Sequence, residues 1–176
     1  NAAKARVDEI VAAGGRAIAQ AFDITDSAAV ENAFDVATKE LGLVDVLVNG
    51  AGTSGAADPK DIAAGSLGLT DGDWSRLLSI HLDGAFFCSR AMARRLMAAK
   101  QGGSIVCISS IAGLAGWGDV HYSTAKGGLL GFVRSVARMC GGQGIRANAV
   151  CPGVIEAGMT NAIPTDQLEP MKFMTP

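Results

Sequence analysis

Four short strand-like runs, residues 16–22, 44–48, 104–109 and 145–151, alternate with amphipathic stretches long enough to be helices. No other feature restricts the fold as much. Strands separated by helical crossovers pair in parallel, and helices then cover both faces of the sheet. The expected architecture is α/β with a single domain over 1–176, a length sufficient for one core, and no repeat, low-complexity tract or linker divides it.

Punctuation along the chain agrees with that order. Val7, Ile10 and Val11 share a helix face within Asn1 to Val11, and Gly14-Gly15 stops it. Thr25 or Asp26 caps a second helix whose apolar face is Val30, Phe34, Ala37 and Leu41, ended by Gly42. Thr70 and Asp73 form a capping box for a long helix over about 71–100, and Gly102-Gly103 ends it. A further helix is expected over 121–140, and the last strand runs into Pro152-Gly153. Residues 159–176, with three prolines, read as a loop or broken helix.

Composition excludes several classes of protein. Hydrophobic residues make up 49% and charged residues 18%, too apolar for a disordered chain, yet no unbroken apolar run reaches membrane-spanning length. Fifteen Lys and Arg against 17 Asp and Glu give a net charge of −2, with the basic residues scattered, so neither nucleic acid nor a membrane is an expected partner. Cys88, Cys107, Cys140 and Cys151 lie far apart, which fits a reducing, cytoplasmic setting, and the charged first residues are unlike a signal peptide. With only His81 and His121 and no clustered carboxylates, no metal site is expected.

Parallel sheets bind ligands beyond the carboxyl ends of their strands, which directs attention to Asp23, Asn49 to Gly52, Ser109-Ser110 and Pro152-Gly153. Gly50-Ala51-Gly52-Thr53-Ser54-Gly55 matches G-x-G-x-x-G, a dinucleotide phosphate turn. Its context argues otherwise. A helix N-terminus should follow at once, whereas Ala56 to Pro59 follow and the long helix starts only near Asp71.

A second constellation is chemically richer. Tyr122 and Lys126 are four residues apart, so on a helix they project from one face about a turn from each other. A free phenol titrates near pH 10, and a neighbouring positive charge favours the phenolate, which turns tyrosine into a competent acid and base near neutrality. Ser110, at a strand's carboxyl end, can present a hydroxyl to the same substrate oxygen. Together the three suit the interconversion of an alcohol and a carbonyl. Taken singly, each has an ordinary structural reading, as a helix surface pair or a turn serine.

In order along the chain, Asp23-Ile24-Thr25-Asp26, Val46 to Gly52, Ile108 to Gly113, Tyr122 to Lys126 and Asn148 to Gly153 resemble the short-chain dehydrogenase/reductase family. The likeness is to its tyrosine-lysine branch, and within it to 3-oxoacyl-acyl-carrier-protein reductases. It implies a Rossmann-like doubly wound parallel sheet and NAD or NADP as cofactor, without preference between them. It further implies that Tyr122 is the general acid and base, Lys126 lowers its pKa and holds the nicotinamide ribose, and Ser110 orients the substrate carbonyl. Asp23 would contact the adenine, Asn49, Gly50, Ala51 and Gly52 would line the adenosine side, and Pro152, Gly153 and Ile155 would bound the nicotinamide. Asp23 equally reads as a turn residue before the helix, and Gly50 and Gly52 as close-packing or positive-φ positions.

Departures from the family pattern accompany the likeness. His81 stands where the family's helix usually carries a catalytic asparagine; it reads either as a member of a proton relay or as a buried histidine capping nearby backbone. Ala157 stands where a cofactor-binding threonine is common. The family's first strand, T-G-x-x-x-G-x-G turn, helix and second strand do not precede Asn1, and its last helix and strand do not follow Pro176. Those two strands would lie between the runs at 16–22 and 44–48, so the sequence is expected to be a piece of a longer chain or one incompletely traced, with a gap in its sheet.

The resemblance implies reversible hydride transfer between a nicotinamide cofactor and a small ketone or secondary alcohol, with a 3-oxoacyl thioester as the narrower candidate. A catalytically weak dinucleotide sensor or scaffold of the same fold is the alternative; enoyl reductases space the tyrosine and lysine more widely. Trp117, Asp119, Val120 and His121 are expected to border the substrate, Trp117 as an apolar wall or as packing. Leu129, Leu130, Phe132, Val133, Val136 and Cys140 make helix 121–140 apolar on more than one face, and pairing with a second copy in a homodimer or homotetramer is expected.

Overall fold

A computed structural model of the protein describes residues 2–53 and 68–155. Helix α1 is Ala2–Ala12 and α2 is Ser27–Leu41. The cap of α2 is Asp26, whose carboxylate accepts from the backbone N–H groups of Ala28 and Ala29 at 2.8 and 3.2 Å. Gly42 ends it at φ 101°, a value that favours glycine. The Thr70–Asp73 box also forms: Thr70 Oγ1 accepts from Asp73 N at 3.1 Å, and Asp73 Oδ2 accepts from Thr70 N at 3.4 Å.

That box starts a helical run which is not one uniform helix. Asp71–Leu78 (α3) passes into a five-residue π-helical turn, Ser79–Asp83, before α-helix resumes as Gly84–Ala99 (α4). The long helix expected over 71–100 is thus interrupted at His81, because hydrophobic spacing reports the face of a helix and carries little information about one inserted residue.

Strands β1 (Val46–Asn49), β2 (Gly103–Ile108) and β3 (Ile145–Val150) form a parallel sheet in that order. Between β2 and β3 lie α5 (Ile111–Ala115) and α6 (Val120–Cys140). Asn49 stands opposite Cys107, and Ile108 opposite Val150, so the three strands finish nearly level at one edge.

Alternation along the strands sets the core. Ile105, Cys107 and Ile145 point to a buried face, where Val30 and Phe34 of α2, Met92 and Leu96 of α4, and Leu129 and Val133 of α6 meet them. Each fully buried side chain of this kind contributes about 1.5–3 kcal/mol by leaving water. On the opposite face Val46 and Val48 are each 59% exposed, whereas Val106 and Ile108 are half-buried, and α1 buries no side chain. Among the described residues, α2, α4 and α6 share one side of the sheet.

Residues 16–22 also differ from expectation. They are irregular, not a strand, with Ile18 and Phe22 partly exposed. A strand exists only by exchanging backbone hydrogen bonds with a neighbour, and among the described residues β1 pairs with β2 alone. Local composition is insufficient without that partner. The readings that rest on Ser54 to Pro59, Ala157 and 159–176 fall outside the described residues.

Candidate active site

Because the strands end together, the segments after them share one edge. Ser110 follows β2 with extended backbone and caps α5, its hydroxyl oxygen accepting from Ala112 N at 3.1 Å. Its own O–H proton stays free to be donated. Across the loop, Ile111 N donates to Pro152 O at 3.1 Å and ties the turn after β3 to the start of α5.

Tyr122 sits in the first turn of α6. Ser123 N donates to Asp119 O at 2.9 Å and Ser123 Oγ to Trp117 O at 3.0 Å, which fixes how the preceding loop enters the helix. One turn on, Lys126 is only 6% exposed. Its Nζ lies 5.6 Å from the Tyr122 ring centroid and donates to Ile108 O at 2.8 Å. Burial pulls the ammonium's pKa below the ordinary lysine value, and the nearby Cys107 thiol works weakly against that.

The π-helical turn directs His81 inward, where it meets Tyr122 edge to face with ring centroids 5.8 Å apart at 88°. With its proton on Nε2, the imidazole donates to Thr53 O at 2.8 Å. Burial, foremost, and the electrostatic influence of Lys126 and His121 push its pKa below the usual imidazole value, while the Thr53 bond acts the other way. The neutral ring leaves Nδ1 buried without a hydrogen-bond partner. Of the two readings of His81, the contact with backbone is present.

Tyr122, Lys126 and His81 are therefore brought together, and Ser110 is joined to them through its neighbours Ile108 and Ser109. The remaining predicted residues spread along the same edge. Asn49 turns its amide inward, Nδ2 donating to Ser89 Oγ at 3.1 Å and to Cys107 Sγ at 3.5 Å, so it anchors the Gly50 to Gly52 turn. Gly52 is needed for proximity rather than for positive φ: a Cβ there would lie 2.4 Å from His81 Cε1. Gly50 meets no such obstacle. Asp23 forms the turn that was its competing reading, Oδ1 accepting from Thr25 N at 2.8 Å and Thr25 Oγ1 at 2.7 Å, and these bonds hold its pKa below the usual carboxylate value. Gly153 follows Pro152 half-buried, and Ile155 is exposed.

A family model described as "Enoyl-(Acyl carrier protein) reductase" matches residues 1–175. The solved structure of a putative short-chain dehydrogenase/reductase from Burkholderia xenovorans superposes with a TM-score of 0.84 and 29% identity, covering 98% of this chain and 65% of that one. The chain belongs to the short-chain dehydrogenase/reductase family. Other short-chain dehydrogenase/reductase relatives are more alike in sequence. Meso-2,3-butanediol dehydrogenase of Serratia marcescens is 36% identical over 167 residues, 93% of this chain and 63% of that protein. A 3-oxoacyl-[acyl-carrier-protein] reductase of Synechocystis is 36% identical over 174 residues, 97% of this chain and 67% of that protein. The chain spans 63–67% of the length of these two curated relatives.

Family membership brings NAD or NADP as the cofactor, and the residues present fit such a group. Lys126 spends one of its three N–H bonds on Ile108 O, leaving two for ribose hydroxyls. A cavity of about 180 Å³, lined in part by Phe22, Asn49, Gly50, Ala51, His81 and Ile108, lies beside the turn after β1. Sequence reasoning pointed to Ser109 without giving it a role, and missed Gly113, Thr53, Ser89 and Cys107, which hold the predicted residues in place. The only local sign of them is adjacency: Ser109 precedes Ser110, and Thr53 follows Gly52.

Proposed function

We propose that this chain carries the acid-base centre of an NAD(P)-dependent oxidoreductase that interconverts a ketone and a secondary alcohol. The observation that supports it is the buried Lys126 ammonium 5.6 Å from the centre of the Tyr122 ring, on the edge where Ser110 emerges. A nicotinamide dinucleotide, when bound, supplies or accepts the hydride. The chain's residues manage the accompanying proton. In the reducing direction the Tyr122 hydroxyl gives its proton to the carbonyl oxygen as the carbon gains hydride; in the oxidising direction its phenolate takes the alcohol proton back. Lys126 brings its positive charge to within 5.6 Å of the ring centre, and Ser110 donates to the same oxygen and so stabilises the negative charge that develops there.

Lys126 and Tyr122 would also hold the nicotinamide ribose, with Pro152, Gly153 and Ile155 bounding the nicotinamide. Asn49, Gly50, Ala51 and Gly52 would line the adenosine side, and Asp23, with Oδ1 taken by Thr25, would offer Oδ2 to the adenine. His81 would belong to the same centre, its neutral Nδ1 able to accept a hydrogen bond. The narrower substrate proposal is a 3-oxoacyl thioester, supported by the likeness to the 3-oxoacyl-[acyl-carrier-protein] reductase of Synechocystis. Four free cysteines support a reducing, cytoplasmic setting, and no described helix is long and apolar enough to cross a membrane.

A second copy of the chain is the proposed partner, in a dimer or tetramer. An apolar groove of about 370 Å³ runs between α4 and α6, lined in part by Phe86, Met97, Phe132, Val136 and Met139. Met139 is 74% exposed on it, a position suited to burial against an identical groove.

The test is oxidation of NADH and NADPH by the full-length protein with a panel of simple ketones and a 3-oxoacyl thioester. Tyr122→Phe should lower turnover by roughly 10²–10⁴-fold while cofactor binding persists. Undiminished turnover in Tyr122→Phe would overturn the assignment, and cofactor binding without tyrosine-dependent turnover would favour a dinucleotide sensor.

A further inference from the structure

We infer that Ser109 and Gly113 are positioning residues: they lock the short helix behind Ser110 against the main chain of Lys126, and so set where the Ser110 hydroxyl stands relative to the Tyr122 phenol. The inference rests on the acid-base reading above.

Lys126 is held at both ends by consecutive residues. Its Nζ donates to Ile108 O at 2.8 Å, while Ser109 Oγ, itself buried, donates to Lys126 O at 2.7 Å. Ser109 N donates to Val150 O at 2.8 Å, which extends the β2–β3 ladder one residue past the strand. The segment leading into Ser110 therefore cannot shift along α6 without breaking a buried hydrogen bond.

Gly113 closes the contact from the far side of Ser110. A Cβ at this position would lie 2.6 Å from Lys126 C, 2.7 Å from Gly127 N and 2.8 Å from Lys126 O. All three are backbone atoms inside a 21-residue helix, so no side-chain rotation relieves the clash. Gly113 is not among the residues with positive φ, so its smallness, not its backbone freedom, is what the position uses. The contact is one-sided: a Cβ on Gly127 would meet Gly113 O at 3.4 Å, an ordinary separation. Ser110 thus lies between two attachments to one residue of α6, one turn beyond Tyr122.

The pair of glycines supplies the experiment. In the full-length protein, Gly113→Ala should push α5 away from α6, and a displacement near 1 Å costs roughly 100-fold in kcat. Cofactor Kd, a property of other residues, should stay within about threefold. Gly127→Ala introduces the same methyl on the opposite wall and should keep kcat within about threefold. Ser109→Ala should also lower kcat, and the two defects should be less than multiplicative when combined, because both act through one displacement. The inference is overturned if Gly113→Ala keeps parental kcat, or if kcat and cofactor binding fall in the same proportion, the mark of a general folding defect. Should Gly113→Ala not fold, parental kcat in Ser109→Ala overturns it. Absence of turnover in the parent sinks the functional reading and this inference with it, whereas parental turnover with an undiminished Gly113→Ala sinks the inference alone.

Discussion

Replacing Gly52 by alanine would place a methyl carbon 2.4 Å from His81 Cε1, 3.0 Å from Nδ1 and 3.3 Å from Nε2. Relief requires about 1 Å of movement to reach ordinary contact. The ring has little freedom to provide it, being 3% exposed, bonded to Thr53 O at 2.8 Å and packed edge-on to Tyr122. Overpacking of this size costs about 1–3 kcal/mol, a sizeable share of the roughly 5–15 kcal/mol that stabilises an ordinary domain. Equilibrium urea denaturation of the full-length protein measures it, provided the slope is unchanged between variants. Repeating the substitution in a His81→Ala background separates the causes. With the imidazole gone the methyl has room, so the second Gly52→Ala step should be nearly neutral, and the cycle should return a coupling of about 1–3 kcal/mol. A loss within about 0.5 kcal/mol of zero, the range of indifferent surface changes, would refute the close-approach argument. So would an equal loss in both backgrounds.

Further outcomes follow from the same coordinates. The folded-state pKa of His81 lies below the ordinary imidazole value of 6.5, so the unfolded chain binds the proton more readily; the stability tied to it is intact above that pH and is lost as pH falls through and below it. The slope of stability against pH between about 5 and 7 should flatten in His81→Asn, read from denaturation midpoints; identical slopes would contradict it. Arg95 links α4 to α2 through Glu31 Oε2 at 2.6 Å and Asp35 Oδ1 at 2.5 Å, and because Asp35 is largely exposed, Arg95→Ala should cost only about 1 kcal/mol, or some 2–4 °C in Tm by calorimetry. Met139→Asp puts a charge into the groove between α4 and α6 and should yield a smaller species by light scattering at micromolar concentration, with an unchanged mass counting against pairing through that face.

The order of elements was readable because its signals are local. Asp26, Thr70 with Asp73, and Gly42 act on backbone within a few residues of themselves, and each does in the structure what its type favours. Tyr122 and Lys126 were readable for the same reason, their spacing being one helical turn. What escaped depends on residues far away in the chain. The run at 16–22 has strand composition but, among the described residues, no neighbour to pair with. The inward amide of Asn49 depends on Ser89 and Cys107, 40 and 58 residues away. Gly52 looked like part of a phosphate turn, yet its smallness answers to an imidazole 29 positions later, and a π-helical insertion at 79–83 leaves no mark on apolar periodicity.

The buried cation of Lys126 sets two demands on the protein against each other. Its ammonium gives up most of its hydration for one carbonyl, a desolvation cost that an uncharged stem of the same length would not carry. Lys126→Met should therefore survive heating better and turn nothing over. A library ranked by heat resistance alone would enrich inert descendants, so any improvement campaign on this scaffold must score turnover alongside endurance from its first round.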